Sequence, residues 1–253
     1  MNGIIIRDNI EMKKEEIERN LINCNDRDNE DMPIINFIDK INDGQEISLL
    51  EVGSGECRFV KKLRSLYPNI KITCLEINPD LAQMAKDLGF EVINENVLDV
   101  NAGSQYDIVN CSHVIEHFTY PQVTQLLEYL VASTKIAGHF IIRAPLMHLG
   151  FYNDIDHVRP YPPEAILNYF NLRQQQSQGK AIVRVENVWY RTAPKRYDYL
   201  RTWNFLYGSR IARAIDRRII PRINNYMEKL WNKYRYPSTK PTGFVLILEL
   251  CSK

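Results

Sequence analysis

Cysteine is sparse and unpaired in this chain. Its five residues, Cys24, Cys57, Cys74, Cys111 and Cys251, are scattered, and none forms a C-x-x-C pair. That spacing excludes a disulfide framework and a cysteine zinc site, and it fits reduced thiols in a cytoplasmic protein. No apolar run approaches the length needed to cross a bilayer. Ile4, Ile5 and Ile6 are followed at once by acids and by no small-residue cleavage site, so no secretory signal is expected. An excess of charge is also missing. The formal net charge of +1 over 253 residues gives no global pull toward nucleic acid or membrane. There is no internal repeat and no low-complexity tract. What is present, 45% apolar and 25% charged residues, suits one moderately large α/β domain with additions.

The hydrophobic pattern changes along the chain. Residues 11–23, EMKKEEIERNLIN, read as a solvated helix with a narrow apolar face, and 24–31 as a polar, acidic loop. Residues 34–41, IINFIDKI, have helical spacing and stop at Asp43-Gly44. From residue 47 short apolar runs alternate with helical periods. The expected strands are ISLLEVG, IKITCLEI, FEVINENVL, YDIVNCSHVI, GHFIIRAP, AIVRVENVWY and GFVLILEL. Between them CRFVKKLRSLY, PDLAQMAKDLG, QVTQLLEYLVASTK and PEAILNYF read as helices. This alternation implies a parallel sheet covered by helices on both faces. Three parts follow: an N-terminal helical cap (1–44), a core (45–190 with 242–253), and an insertion before the last strand (191–241).

The sharpest local feature is Glu51-Val52-Gly53-Ser54-Gly55 at the end of the first core strand. Ligands of open α/β sheets bind at the carboxyl ends of strands, where glycines let the backbone come close. Glu76 ends the next strand roughly 20 residues later, the spacing of a ribose-binding carboxylate. A dinucleotide fingerprint needs a third glycine, and that position is Arg58. Glu51 at the strand end would repel a pyrophosphate but could hold a ligand's ammonium group.

E-V-G-S-G resembles the first motif of class I S-adenosylmethionine-dependent methyltransferases, and Leu75-Glu76-Ile77 the second. Asp107 to His117, with its H-V-I-E-H ending, resembles their fourth strand and following loop, most like the small-molecule branch. Gly138-His139-Phe140 resembles the turn before strand five. The resemblance covers residues 45–170 and the final strand. It implies a Rossmann-like, seven-stranded, mostly parallel sheet with helices on both faces, an N-terminal helical extension and a helical insertion before the last strand. It also implies S-adenosylmethionine as cofactor. Gly53, Ser54 and Gly55 would line its methionine part, Glu76 hold the ribose, Ile77 pack on adenine and Asn96, beside Val97, bond the adenine amine. Ser112 and His113 would lie near the sulfonium.

A sulfonium is an activated donor, so the protein mainly positions the acceptor and, for a hydroxyl, removes its proton. Histidine is the residue best suited to that near neutral pH. His113 and His117 are four apart at the active edge. His139 precedes a buried strand and reads as structural. Neither H-x-x-x-H nor the nearby acids make a metal set by spacing, so no catalytic metal is expected. The loop Asp154-Ile155-Asp156-His157-Val158-Arg159-Pro160-Tyr161 concentrates a base, acids, a guanidinium and a phenol. It resembles a loop of class I methyltransferases that act on sugars and surface polysaccharides. His157 is the expected base, and Arg159 and Tyr161 are expected to anchor a polar acceptor. The plainer alternative is a loop stapled by its own salt bridges.

The insertion differs in kind. Residues 191–240 carry 13 Lys and Arg against three acids, about +10, which leaves the rest of the chain at about −9. Ile211, Ile215, Ile219 and Ile223 recur every four residues, the pattern of a basic amphipathic helix kinked or restarted at Pro221. It could pack on the core, meet an anionic or lipid-linked acceptor, touch an anionic membrane surface, or bind nucleic acid. O-methylation of a small-molecule or glycan acceptor is the leading expectation. The loop after strand four reads C-S-H-V-I-E-H, unlike the N-P-P-Y type of base amino-methylating enzymes, so a nucleic-acid acceptor is the lesser one. A cofactor-binding relative without turnover is the third.

Overall fold

The computed structural model describes residues 21–23, 27–103, 105–148, 150–170, 181–192, 215, 219–234 and 241–253, with the backbone alone for 21–23, 27–29 and 228–234. The buried apolar runs become strands: Ile47–Val52 (β2), Ile70–Leu75 (β3), Glu91–Ile93 (β4), Tyr106–Ser112 (β5), Thr134–Pro145 (β6), Ile182–Thr192 (β7) and Gly243–Ser252 (β8). These are the seven strands expected. A three-residue strand, Leu21–Asn23 (β1), adds to the edge beside β7. The sheet order is β1-β7-β8-β6-β5-β2-β3-β4. Only β8 runs antiparallel to its neighbours, β6 and β7. The mostly parallel, Rossmann-like reading therefore holds.

Helices cover both faces. Leu126 and Leu130 of Tyr120–Ser133 (α4) and Ile166 of Pro163–Tyr169 (α5) pack with Leu50, Val109 and Phe140. The other face packs Leu49, Ile108 and Ile141 against Arg27–Ile41 (α1), Arg58–Leu66 (α2) and Pro79–Asp87 (α3). The period-two alternation within each strand sends neighbours to opposite layers, as a sheet buried on both faces requires. Local chemistry sets the helix starts. Asn78 Oδ1 accepts from the Asp80 and Leu81 amides ahead of α3, with Pro79 in its first turn. Thr119 and Gln122 form a capping box for α4.

Three expectations need correction. The end of the expected helix 11–23 is strand β1, whose backbone pairs with Tyr190–Thr192 and so covers the edge of β7; residues 1–20 lie outside the described residues. The expected loop 24–31 is helical from Arg27, because Glu30 and Asp31 are not solvated acids but buried partners of arginines on other elements. Strand β5 stops at Ser112, since His113 has φ +55° and cannot continue an extended strand.

The basic aromatic insertion lies mostly outside the described residues. Its helix Ile220–Tyr234 (α6) has Pro221 as second residue, so the helix restarts there, where a missing N–H costs little. Among the described residues no helix is long and apolar enough to cross a membrane.

Candidate active site

The carboxyl ends of β2, β5 and β6 open into a cleft of about 750 Å³. Because β3 and β5 flank β2 on opposite sides, this is the point where strand order switches and a ligand crevice forms. Glu51, Gly53, Ser54, Gly55, Ser112, His113, His117 and His157 all line it. The fold thus brings together motifs more than a hundred residues apart in sequence.

Gly53 has φ +75°, and a Cβ there would clash with Val114 Cγ2, so both its conformation and its neighbour demand glycine. Glu51 is buried, and both its carboxyl oxygens accept from Asn110 Nδ2, at 3.0 and 2.8 Å. Burial pushes its pKa up to about 7, against the smaller opposing effect of the Asn110 hydrogen bond. Ser54 Oγ is buried and has no hydrogen-bond partner among the described residues. A buried acid with a raised pKa and a hydroxyl without a partner beside a glycine turn suit a ligand with an ammonium group.

Glu76 is buried at the end of β3. Its Oε2 accepts from the Gly55 amide at 2.8 Å and Oε1 from the Asn78 amide at 3.0 Å. It therefore sets the shape of the glycine turn while retaining lone pairs for a ribose. Ile77 is exposed, Val97 is packed in the core, and Asn96 Oδ1 accepts from the Leu98 amide at 3.0 Å. These last three, with Glu76, lie beside the main cleft rather than on its walls.

His113 sits at a bend of left-handed backbone, held by its amide donating to the Arg143 carbonyl at 2.8 Å. Its Nδ1 is 3.3 Å from Glu116 Oε1 and its Nε2 is 3.7 Å from Glu30 Oε1. Burial works to lower its pKa, but the bonds to Glu116 and Glu30 outweigh it and raise the value. For Glu30 burial works upward, and the bonds to His113 and the Arg191 charge overturn it, giving about 2. His157 lies with Nδ1 2.6 Å from the Phe151 carbonyl oxygen, and its ring is 5.1 Å from that of His117. His139 stacks edge-on against Phe37, away from the cleft.

Arg159 and Tyr161 are not on the main cleft. They line a separate depression of about 590 Å³ with Tyr120 and Tyr152. The Tyr161 hydroxyl donates to the Phe118 carbonyl at 2.9 Å, and the Arg159 guanidinium lies 5.6 Å from its ring.

Sequence reasoning passed over four charged groups. Asp31, fully buried, accepts from Arg58 (2.6 and 2.9 Å) and Arg143 (2.7 Å), and Arg143 Nε donates to Ser112 Oγ at 2.6 Å. Glu30 pairs with Arg191 at 3.0 Å. Glu116 is fully buried between the histidines of H-V-I-E-H. One signal was available: Arg143 interrupts the apolar run of GHFIIRAP, and a lone charge in a central strand demands a buried partner.

Such a fold and cleft define a Rossmann-like protein built for a nucleotide-type cofactor. A family model described as a methyltransferase domain matches residues 50–140. The solved structures similar to this chain include a SAM-dependent methyltransferase from Archaeoglobus fulgidus. It shares 19% identity at a TM-score of 0.54, over 88% of this chain and 94% of that one. Coclaurine N-methyltransferase, bound to N-methylheliamine and SAH, has 13% identity and a TM-score of 0.53, over 88% and 71% of the two chains. The YcgJ protein of Bacillus subtilis has 13% identity and a TM-score of 0.52, over 88% and 99%. At such identities the likeness is one of fold. No curated protein matches the chain in sequence. The match over residues 50–140 and the shared fold show what the chain is similar to: a methyltransferase domain on a Rossmann-like sheet.

Proposed function

We propose that the chain methylates a hydroxyl of a small polar molecule, a glycan foremost, in the cleft between the glycine turn and the histidines. The observation that carries this reading is that the Glu51–Gly55 wall and the imidazole of His157 face one cavity. S-adenosylmethionine supplies an electrophilic methyl group on a sulfonium. Glu51 and Ser54 would hold its amino-acid end, Glu76 its ribose, and Asn96 and Ile77 its adenine. Ser112 and His113 would lie beside the sulfonium.

The chain's own task is then to align the acceptor and take up a proton. The Phe151 carbonyl can only accept, so the Nδ1 of His157 that faces it carries the hydrogen. Nε2 is left with a lone pair, the form a general base needs. With the cofactor bound, transfer of its methyl group to the acceptor oxygen would free the hydroxyl proton, and His157 Nε2 would take it up. His117, with Nδ1 3.2 Å from the Asp156 carbonyl oxygen, offers a second lone pair beside it. The charged lining favours a polar acceptor over an apolar one, and Arg159 and Tyr161 could bind a distal part of an acceptor that extends past the loop.

A lipid-linked acceptor at an anionic membrane surface is the variant that α6 favours. Ile219 and, within the helix, Ile223, Tyr226 and Met227 are exposed beside Arg222, an apolar and basic combination that suits a lipid interface.

Calorimetric titration with S-adenosylhomocysteine, on the wild type and on Glu76→Ala, tests the cofactor site. Binding that the substitution abolishes supports the reading and justifies an acceptor screen starting with glycans. A folded wild type that does not bind overturns it.

A further inference from the structure

Glu116, His117 and His157 present metal-binding atoms that all lie within 4.8 Å of one another at the wall of the cleft. Spacing in the sequence conceals this set, because forty residues separate the two histidines and only the return of the loop after β6 joins them. Two features go beyond proximity. First, Glu116 is fully buried; its Oε1 meets His113 Nδ1 at 3.3 Å, and its Oε2 has no hydrogen-bond partner among the described residues. A buried carboxylate oxygen left without a donor is costly unless a cation meets it. Second, both rings make the same kind of outer contact. His117 Nδ1 faces the Asp156 carbonyl at 3.2 Å, and His157 Nδ1 faces the Phe151 carbonyl at 2.6 Å. Each ring therefore donates through Nδ1 to a backbone oxygen and keeps its lone pair on Nε2. That outer bond is what fixes tautomer and orientation in metal-binding imidazoles.

We propose that Glu116, His117 and His157 bind a divalent metal cation. Two imidazole nitrogens and one carboxylate suit manganese, iron, cobalt or zinc better than calcium or magnesium, whose preferred ligands are all oxygen. The exposed Asp154 carboxylate, 3.6 Å from His157 Nε2, is within reach as a further oxygen ligand. Three protein ligands leave coordination positions facing the cleft. The role of the cation rests on the methyltransferase reading: a hydroxyl that occupies an open position becomes more acidic and is oriented toward the methyl donor. With the cation bound, His157 would be a ligand in place of the base, and the proton of the metal-held hydroxyl would pass to the exposed Asp156 carboxylate, which lines the same cleft.

Manganese(II) alone, titrated into the full chain and followed by the loss of its free-ion electron paramagnetic resonance signal, tests the site. One bound ion per chain is expected. His117→Gln, at a partly exposed position, and Glu116→Gln should each weaken binding by more than about tenfold. The same samples are titrated with S-adenosylhomocysteine in the presence of EDTA, which checks folding and reads the cofactor site separately. A chain that binds S-adenosylhomocysteine but takes up no manganese, or a folded variant that keeps wild-type manganese affinity, overturns the metal site and leaves the methyltransferase reading standing. Manganese uptake that both substitutions weaken supports the site. If S-adenosylhomocysteine does not bind alongside that uptake, the metal site stands and the methyltransferase reading falls.

Discussion

Asp31, in the first helix, and Arg143, in the sixth strand, form a buried ion pair at 2.7 Å although 112 residues separate them. Arg143 is 4% exposed in its side chain and Asp31 is wholly buried. The pair ties the N-terminal helix to the cleft, because the Arg143 Nε also donates to Ser112, which lines it. Removing one partner leaves the other as an uncompensated buried charge. Asp31→Ala should therefore destabilise the fold by about 3–5 kcal/mol, read by urea denaturation. A loss below about 1 kcal/mol would mean the pair is no better than a surface bridge.

This network also marks the limit of what the sequence disclosed. The strands from Ile47 onward, the glycine turn and the acid at Glu76 were legible, because period-two burial and a glycine at a strand end are local signals. The acids at Glu30 and Asp31 read as a solvated loop, since nothing local distinguishes an exposed acid from one paired with arginines over a hundred residues away. Glu116 stood in plain view within H-V-I-E-H. Its burial follows from the bend at His113, a backbone feature that composition does not report. Arg159 and Tyr161 were grouped with His157 by adjacency, yet the loop sends them to another surface.

Glu51 gives a pH-dependent prediction for the cofactor site. Its pKa is raised to about 7 in the folded chain, so folding gains nothing from its charge, and stability from this group falls as pH rises from the ordinary carboxylate range to about 7. A bound ammonium group favours the ionised form. Binding of S-adenosylhomocysteine should therefore release up to one proton below pH 7, and affinity should climb as pH approaches 7. Titrations in buffers of different ionisation enthalpy count that proton. Glu51→Gln should bind more weakly and with no such release; release unchanged in the variant would assign the proton elsewhere.

Glu30 and His113 form an opposed pair. The Glu30 value, lowered to about 2, contributes stability that is present above its unfolded pKa and is lost as pH falls toward 2. The raised His113 value contributes stability that is present below its unfolded pKa and lost as pH rises through the folded value. Their joint effect is fullest between the two unfolded values, roughly pH 4.5 to 6.5. Glu30→Gln should lower the His113 pKa, measurable by following its ring protons in NMR titration. An unmoved His113 would show that Glu116 alone holds the proton.

Tyr161 separates a positioning role from direct contact with an acceptor. Its hydroxyl is already spent on the Phe118 carbonyl, and its ring is buried. Tyr161→Phe should cost about 0.5–1.5 kcal/mol of stability, the net value of one hydrogen bond, and leave S-adenosylhomocysteine affinity unchanged. His157→Ala should do the reverse. Its imidazole faces the cleft, so acceptor turnover should fall by about 10²–10⁴ while cofactor affinity holds. The contrast is sharpest in the split between kcat and KM. If Tyr161→Phe lowered kcat as strongly as His157→Ala, the hydroxyl would have to leave Phe118 and reach the acceptor, and the loop from Asp154 to Tyr161 would have to rearrange when the acceptor binds.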